Sequence, residues 1–132
     1  MSDTGVLTQV WAKRDYHRRW LLDQADGLLN FFQYRAINPK GGFYDLDTEG
    51  TPLATDNPVR SIHMSARMVH CYAIAYLLGR PGAGEVVDHG MTFLWQRHRD
   101  TRHGGYHWSQ NDNGAVDTTK QGYGHAFVLL AA

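Results

Sequence analysis

The chain has 132 residues, 42% of them hydrophobic, which suits one globular domain and is enough to bury a core. Thirteen basic residues balance thirteen acidic ones, so there is no broad electrostatic footprint for nucleic acid or anionic lipid. Neither nucleic acid nor a membrane is expected as a partner, and the ligand to look for is small, polar and largely uncharged.

Met1-Ser-Asp-Thr-Gly-Val-Leu7 lacks a basic segment followed by an apolar run, and nowhere do about 18 apolar residues follow one another. The expected location is therefore cytoplasmic. A first helix is predicted from about Gln9 to Ala36. Beyond it, Lys40-Gly-Gly-Phe-Tyr-Asp-Leu-Asp-Thr-Glu-Gly-Thr-Pro-Leu53 reappears about 63 residues later as His103-Gly-Gly-Tyr-His-Trp-Ser-Gln-Asn-Asp-Asn-Gly-Ala-Val116. Paired glycines permit positive φ and close backbone approach, so each copy reads as a short hairpin or ordered loop preceding a helix. The acids Asp45, Asp47, Glu49 and Asp112 read first as turn residues.

A second helix is predicted from about Pro58 to Leu78, with Asn57-Pro58 as cap and first-turn proline and Gly79 with Pro81 as the stop. Ile62, Met64, Ala66, Met68, Val69, Ala73, Ile74 and Leu77 point in nearly every direction, the pattern of a helix covered on most sides. Arg67 then reads as a buried cation that needs a carboxylate, a polar ligand or a wet cavity, because unpaired burial costs several kcal/mol. His63, Arg67 and His70 share one side at i, i+4 and i+7, and Ile74 continues the line, as at one end of a pocket. Cys71, the single cysteine, reads as a buried, inert thiol; it excludes an intramolecular disulfide and fits a reducing compartment.

A third helix is predicted from about Ala83 to Arg99, with Val86, Val87, Met91 and Leu94 inward and Asp88, Gln96, Arg97 and Arg99 able to reach solvent. The last segment, Lys120 to Ala132, starts like another inner helix and ends with neither cap nor stop signal. Alternating outer and inner helices joined by Gly-Gly loops suggest a toroid of helical hairpins around a central pocket, which needs more helices than these. The chain is read as ending within a helix, and an unclosed array should expose a contiguous apolar edge and leave the isolated fragment sticky, poorly folded or dependent on another polypeptide.

The blocks Gly41-Gly-Phe-Tyr, Ser65-Ala-Arg-Met-Val-His70, Gly79-Arg-Pro-Gly82, Val87-Asp-His-Gly90, Gly104-Gly-Tyr and Val116-Asp-Thr-Thr-Lys-Gln-Gly-Tyr-Gly-His125 resemble the N-acylglucosamine 2-epimerase family, closest to its bacterial mannose isomerase and sulfoquinovose isomerase branch. The resemblance runs from about Asp15 to Ala132 and matches the amino-terminal third of such a protein. It implies an all-α fold: residues 1–132 would be the amino-terminal part of one (α/α)6-barrel catalytic domain, about four helices long. The implied reaction is cofactor-free proton transfer at C1 and C2 of an opened sugar through an enediol-like intermediate, giving aldose-ketose isomerisation or 2-epimerisation. The acid-base histidines it implies belong to later inner helices, so this chain alone is expected to be inactive.

By the same resemblance Arg67 is the catalytic candidate, set near the reacting carbons. Its guanidinium offers fixed donors and can stabilise charge developing on an enediolate oxygen. The competing reading is a structural Arg-carboxylate pair. Tyr123 matches a family tyrosine that contacts sugar, its hydroxyl able to donate or accept and its ring able to pack on a C–H face; a core aromatic is the alternative. His63 stands where sulfoquinovose isomerase-like relatives can present tryptophan, and is read as a substrate contact or a hydrogen-bonded wall residue. His125, Lys120 and His70 are possible supporting residues: His125 points about 200° away from Tyr123 around the helix, Lys120 can pair with a carboxylate or line a rim, and His70 reads as a core histidine. No metal site is expected, since His103-Gly-Gly-Tyr-His107 belongs to the repeated loop. Two further functions compete: a non-catalytic sugar-binding remnant or barrel-completing subunit, and a glycosidase, which would need paired inner carboxylates that the helices do not supply.

Overall fold

The computed structural model describes residues 10–132, so the expected helix start at Gln9 and the reading of the first seven residues lie outside the described residues. The first predicted helix is two: α1, Val10–Lys13, and α2, Asp15–Phe32, separated by Arg14 in an extended conformation. α2 has no buried residue; Leu29 and Phe32 pack, partly buried, against the core, and polar contacts tie down its carboxyl half. Tyr72 donates its hydroxyl to the Leu29 carbonyl at 2.7 Å, and Arg80 reaches Asp26, Asn30 and the buried Gln33. Burial pushes the Tyr72 phenol up to about 12, with the Arg80 cation opposing, so it stays a donor.

The second predicted helix starts four residues late. Arg60–Ser61 form a strand, β1, and α3 runs Ile62–Leu77, with the Ser61 hydroxyl capping it by accepting from the Met64 N–H. Asn57 is not the cap: at φ 49° it turns its side chain to the Asp112 N–H at 2.8 Å. The carboxyl end is as the sequence suggests. Gly79 at φ 83° donates to the Tyr76 carbonyl and Arg80 N–H to that of Ala75, a Schellman closure.

α4, Ala83–Phe93, continues as a π-helical turn, Leu94–His98, with Val86 and Leu94 buried and Asp88 and Gln96 exposed, as its pattern predicts. β2, Ser109–Asn111, and β3, Gly114–Asp117, complete an antiparallel sheet in the order β1-β2-β3, and α5 spans Gly122–Ala131. The fold is thus mostly helical, as expected, with the hairpin of the second Gly-Gly unit extended by β1 into a small sheet that the sequence reading did not foresee.

α3 packs between α4 and α5. Its buried residues, Ile62, Ser65, Ala66, Val69, Tyr72 and Ala75, lie along that side alone, while Met64, Cys71, Ile74, Tyr76 and Leu77 are exposed. Two expectations fall with this. The helix is not covered on most sides, and the Cys71 thiol is not buried. Both Gly-Gly pairs have positive φ as expected; bridges join Ile37 to Phe43 and Leu46 to Pro52 at the first unit, and Arg99 to Tyr106 at the second.

Candidate functional site

The buried arginine is Arg60, not Arg67. Arg60 is 3% exposed, lies over the Phe93 ring at 4.8 Å, and donates to Asp112 at 2.8 Å, with Lys40 on the other carboxylate oxygen at 3.4 Å. These donors, the Arg60 hydrogen bond foremost, hold the Asp112 carboxyl below its usual range. Asp112 is therefore more than a turn acid: it joins the first Gly-Gly loop, β1 and the β2–β3 turn. Asp47 does serve its turn, accepting from the Glu49 and Thr51 N–H groups.

Arg67 is exposed, on the open side of α3, so the carboxylate-pair reading does not apply to it. Four residues earlier His63 projects from the same helix, and Tyr123 reaches across from the first turn of α5. Arg67 Nη1 lies 3.4 Å and Tyr123 Oη 3.5 Å from one atom, His63 Nε2. Both distances sit at the long limit for hydrogen bonds, and one lone pair cannot satisfy two donors, so Arg67 and Tyr123 keep capacity for another acceptor. The three residues that the sequence singles out thus meet at one place. They meet on an open face, with Tyr123 57% exposed, and not in a closed hollow, because α3 and α5 wall only one side.

An aromatic wall, which the sequence reading missed, holds the His63 ring. Trp108 lies parallel to it at 6.3 Å, and Phe127 meets it edge-on at 5.1 Å and Tyr123 at 4.9 Å. Trp108 lies three residues after Gly105 within the second repeated unit, and Phe127 lies one helical turn after Tyr123, the signals that could have found them.

The supporting candidates divide. Lys120 pairs with a carboxylate, as one reading had it: its Nζ is 2.7 Å from Asp100, which also accepts from the Arg102 and His103 N–H groups, and these partners, Lys120 foremost, depress the Asp100 carboxyl. His125 faces away from Tyr123, into the second loop, where its Nε2 accepts from the Tyr106 N–H at 3.0 Å. His70 donates through Nδ1 to the Leu130 carbonyl at 3.2 Å, tying α3 to the end of α5. Asp100 lies 3.4 Å from His103 and 4.0 Å from His107, but Lys120 occupies the cationic place, and no group of three potential ligands converges among the described residues. Nor, among those residues, is any helix long and apolar enough to cross a membrane.

The chain is 40% identical over 126 residues to a D-mannose isomerase of Thermobifida fusca, covering 93% of this chain and 30% of that protein. It is 36% identical over 133 residues to a D-mannose isomerase of Pseudomonas cannabina pv. alisalensis, covering 100% of this chain and 31% of that protein. It thus spans under a third of the length of these curated relatives. A crystal structure of a D-mannose isomerase superposes with a TM-score of 0.79 at 30% identity, over 86% of this chain and 29% of that one. The model of the N-acylglucosamine 2-epimerase (GlcNAc 2-epimerase) family matches residues 41–132, and with Arg67, His63 and Tyr123 inside that match, this chain belongs to the N-acylglucosamine 2-epimerase family.

Proposed function

We propose that this chain is part of a carbohydrate isomerase or 2-epimerase acting at C1 and C2 of a free sugar, mannose-fructose interconversion being the first reaction to test. The observation that carries this reading is the convergence of Arg67 and Tyr123, from neighbouring helices, on His63 Nε2. Donors that are only loosely engaged can turn to sugar hydroxyls, and a guanidinium beside a developing enediolate stabilises the charge that forms there. The aromatic wall supplies a surface for the C–H face of the ring or opened chain. Family membership and the mannose isomerase relatives support the substrate class.

In this reading the proton at C2 is moved by histidines on helices beyond these residues, in a barrel of six helical hairpins of which this chain is one part, working in the cytoplasm without a cofactor. General acid-base groups contribute about 10²- to 10⁴-fold each, so this chain alone binds or positions but does not turn over. Incubating it with mannose and measuring fructose tests this; robust turnover contradicts it. A longer polypeptide containing these residues should convert mannose, and Arg67→Ala in it should cost at least about 10²-fold in kcat/KM. A second reading, a barrel-completing subunit, draws on exposed Leu129 and Leu130 of α5 and Ile74 and Leu77 of α3. It predicts a stable complex with a second polypeptide on size exclusion.

A further inference from the structure

We propose that His125 is a positioning residue for Tyr123, acting through a two-nitrogen clamp between α5 and the second Gly-Gly loop. Its two contacts fix the tautomer. The Tyr106 backbone N–H can only donate, so Nε2 at 3.0 Å accepts; the Gln121 carbonyl can only accept, so Nδ1 at 2.8 Å carries the proton. The ring therefore spans the loop and the residue just before α5, and neither nitrogen is free for chemistry.

The clamp matters because it ties the start of α5 to the loop. Gln121 stands at the start of α5 without a side-chain capping bond. The loop is shaped to receive the imidazole: Gly105, at φ 74°, would place a Cβ 2.8 Å from His125 Nε2 and 3.3 Å from Lys120 Cδ, so any larger residue displaces one or the other. Lys120, pinned to Asp100, adds a second anchor just before the helix begins. Tyr123 and His125 are two positions apart, about 200° around the helix axis. A rigid turn of helix couples the two faces, so securing His125 on the loop side aims Tyr123 at His63 on the other. Gly124 between them lets the helix press close, since a Cβ there would meet Ile62 at 2.8 Å and the Trp108 ring at 3.3 Å.

The value of this aim rests on Tyr123 being a sugar contact, but the clamp can be tested without sugar. In the 132-residue chain, imidazole nitrogen shifts should show His125 as the Nδ1–H tautomer, and the Tyr106 amide should be protected from exchange. His125→Ala should speed that exchange about tenfold, the loss of one hydrogen bond, and weaken the ring-to-ring nuclear Overhauser contact between Tyr123 and His63. His125→Gln, whose side-chain oxygen can accept near the Nε2 position, should restore both. An Nε2–H tautomer, an unprotected Tyr106 amide in the unaltered chain, or a Tyr123–His63 contact unchanged by His125→Ala overturns the proposal. If His125→Ala does not fold, the tautomer and the His125→Gln data decide. Mannose titration of a longer polypeptide containing these residues separates the two claims: a clamp that behaves as described in a polypeptide with no mannose affinity leaves His125 positioning Tyr123 and sinks only the sugar reading.

Discussion

His98 is fully buried at the end of the π-helical turn, its Nδ1 donating to the His107 carbonyl at 3.0 Å and its Nε2 without a partner. Burial, with the Arg60 cation adding to it, lowers its pKa from an ordinary 6.5 to about 4. The native ring therefore refuses a proton that the unfolded chain accepts between those values, and stability falls as pH drops through this window. The loss amounts to roughly 3 kcal/mol by pH 4. The carboxyls of Asp100, Asp112 and Asp117, held below the ordinary 3.8, weaken the fold only at still lower pH. Urea unfolding across pH 4 to 7 should show the slope, and His98→Asn, which keeps a donor toward the His107 carbonyl, should flatten it. The two arginines show what a residue-level reading can hold. Spacing alone put His63 and Arg67 on one side of a helix, and they are there. It could not tell which arginine is buried, because the partner of Arg60 is 52 positions away on a turn.

Among the elements, α3 and α4 approach closely at Gly90, where a Cβ would lie 2.8 Å from Phe43 and closer still to Val69. Gly90→Ala should overpack this contact and cost about 1–3 kcal/mol of stability, measurable as a lower urea midpoint at unchanged slope. α2 hangs on fewer supports. Tyr72→Phe removes the bond to Leu29 and should cost about 1 kcal/mol, and hydrogen exchange should show α2 loosening while α3 and α4 keep their protection. Helices were legible because their periods are long and their stop signals strong, as at Gly79 to Pro81. The β2–β3 hairpin fell within the second Gly-Gly unit, where a hairpin or ordered loop was expected, but β1 was not legible: Arg60–Ser61 is too short to display alternation and pairs with a segment about fifty residues away. The Asn57-Pro58 pair, an ordinary helix-start signal, was captured by that distant pairing.

At the scale of the molecule, the exposed large apolar residues gather on α2, α3 and α5: Trp20, Leu21, Leu22 and Leu28; Ile74, Leu77 and Leu78 at and just past the end of α3; Leu129 and Leu130. Leu77 and Leu129 are more than 80% exposed, and such surface on a chain spanning under a third of its relatives' length favours association. The isolated chain should elute from size exclusion with a concentration-dependent volume and bind a hydrophobic dye. A compact, dye-silent monomer at all concentrations would contradict that expectation. The sequence pattern foresaw the paired-glycine turns of the repeated units, whereas the exposure of Arg67 and Cys71 escaped it, since hydrophobic periodicity records which residues could be covered and not which neighbours are at hand.

The β1–β2 pairing joins the segment just after the first repeated unit to the second unit, and the Lys40–Asp112 contact links the two units directly. The two units are therefore stitched together and do not simply stack. If the backbone were cut at Gly82, each half would carry one lip of the seam, and the halves would find each other in solution by strand pairing and a charged clasp.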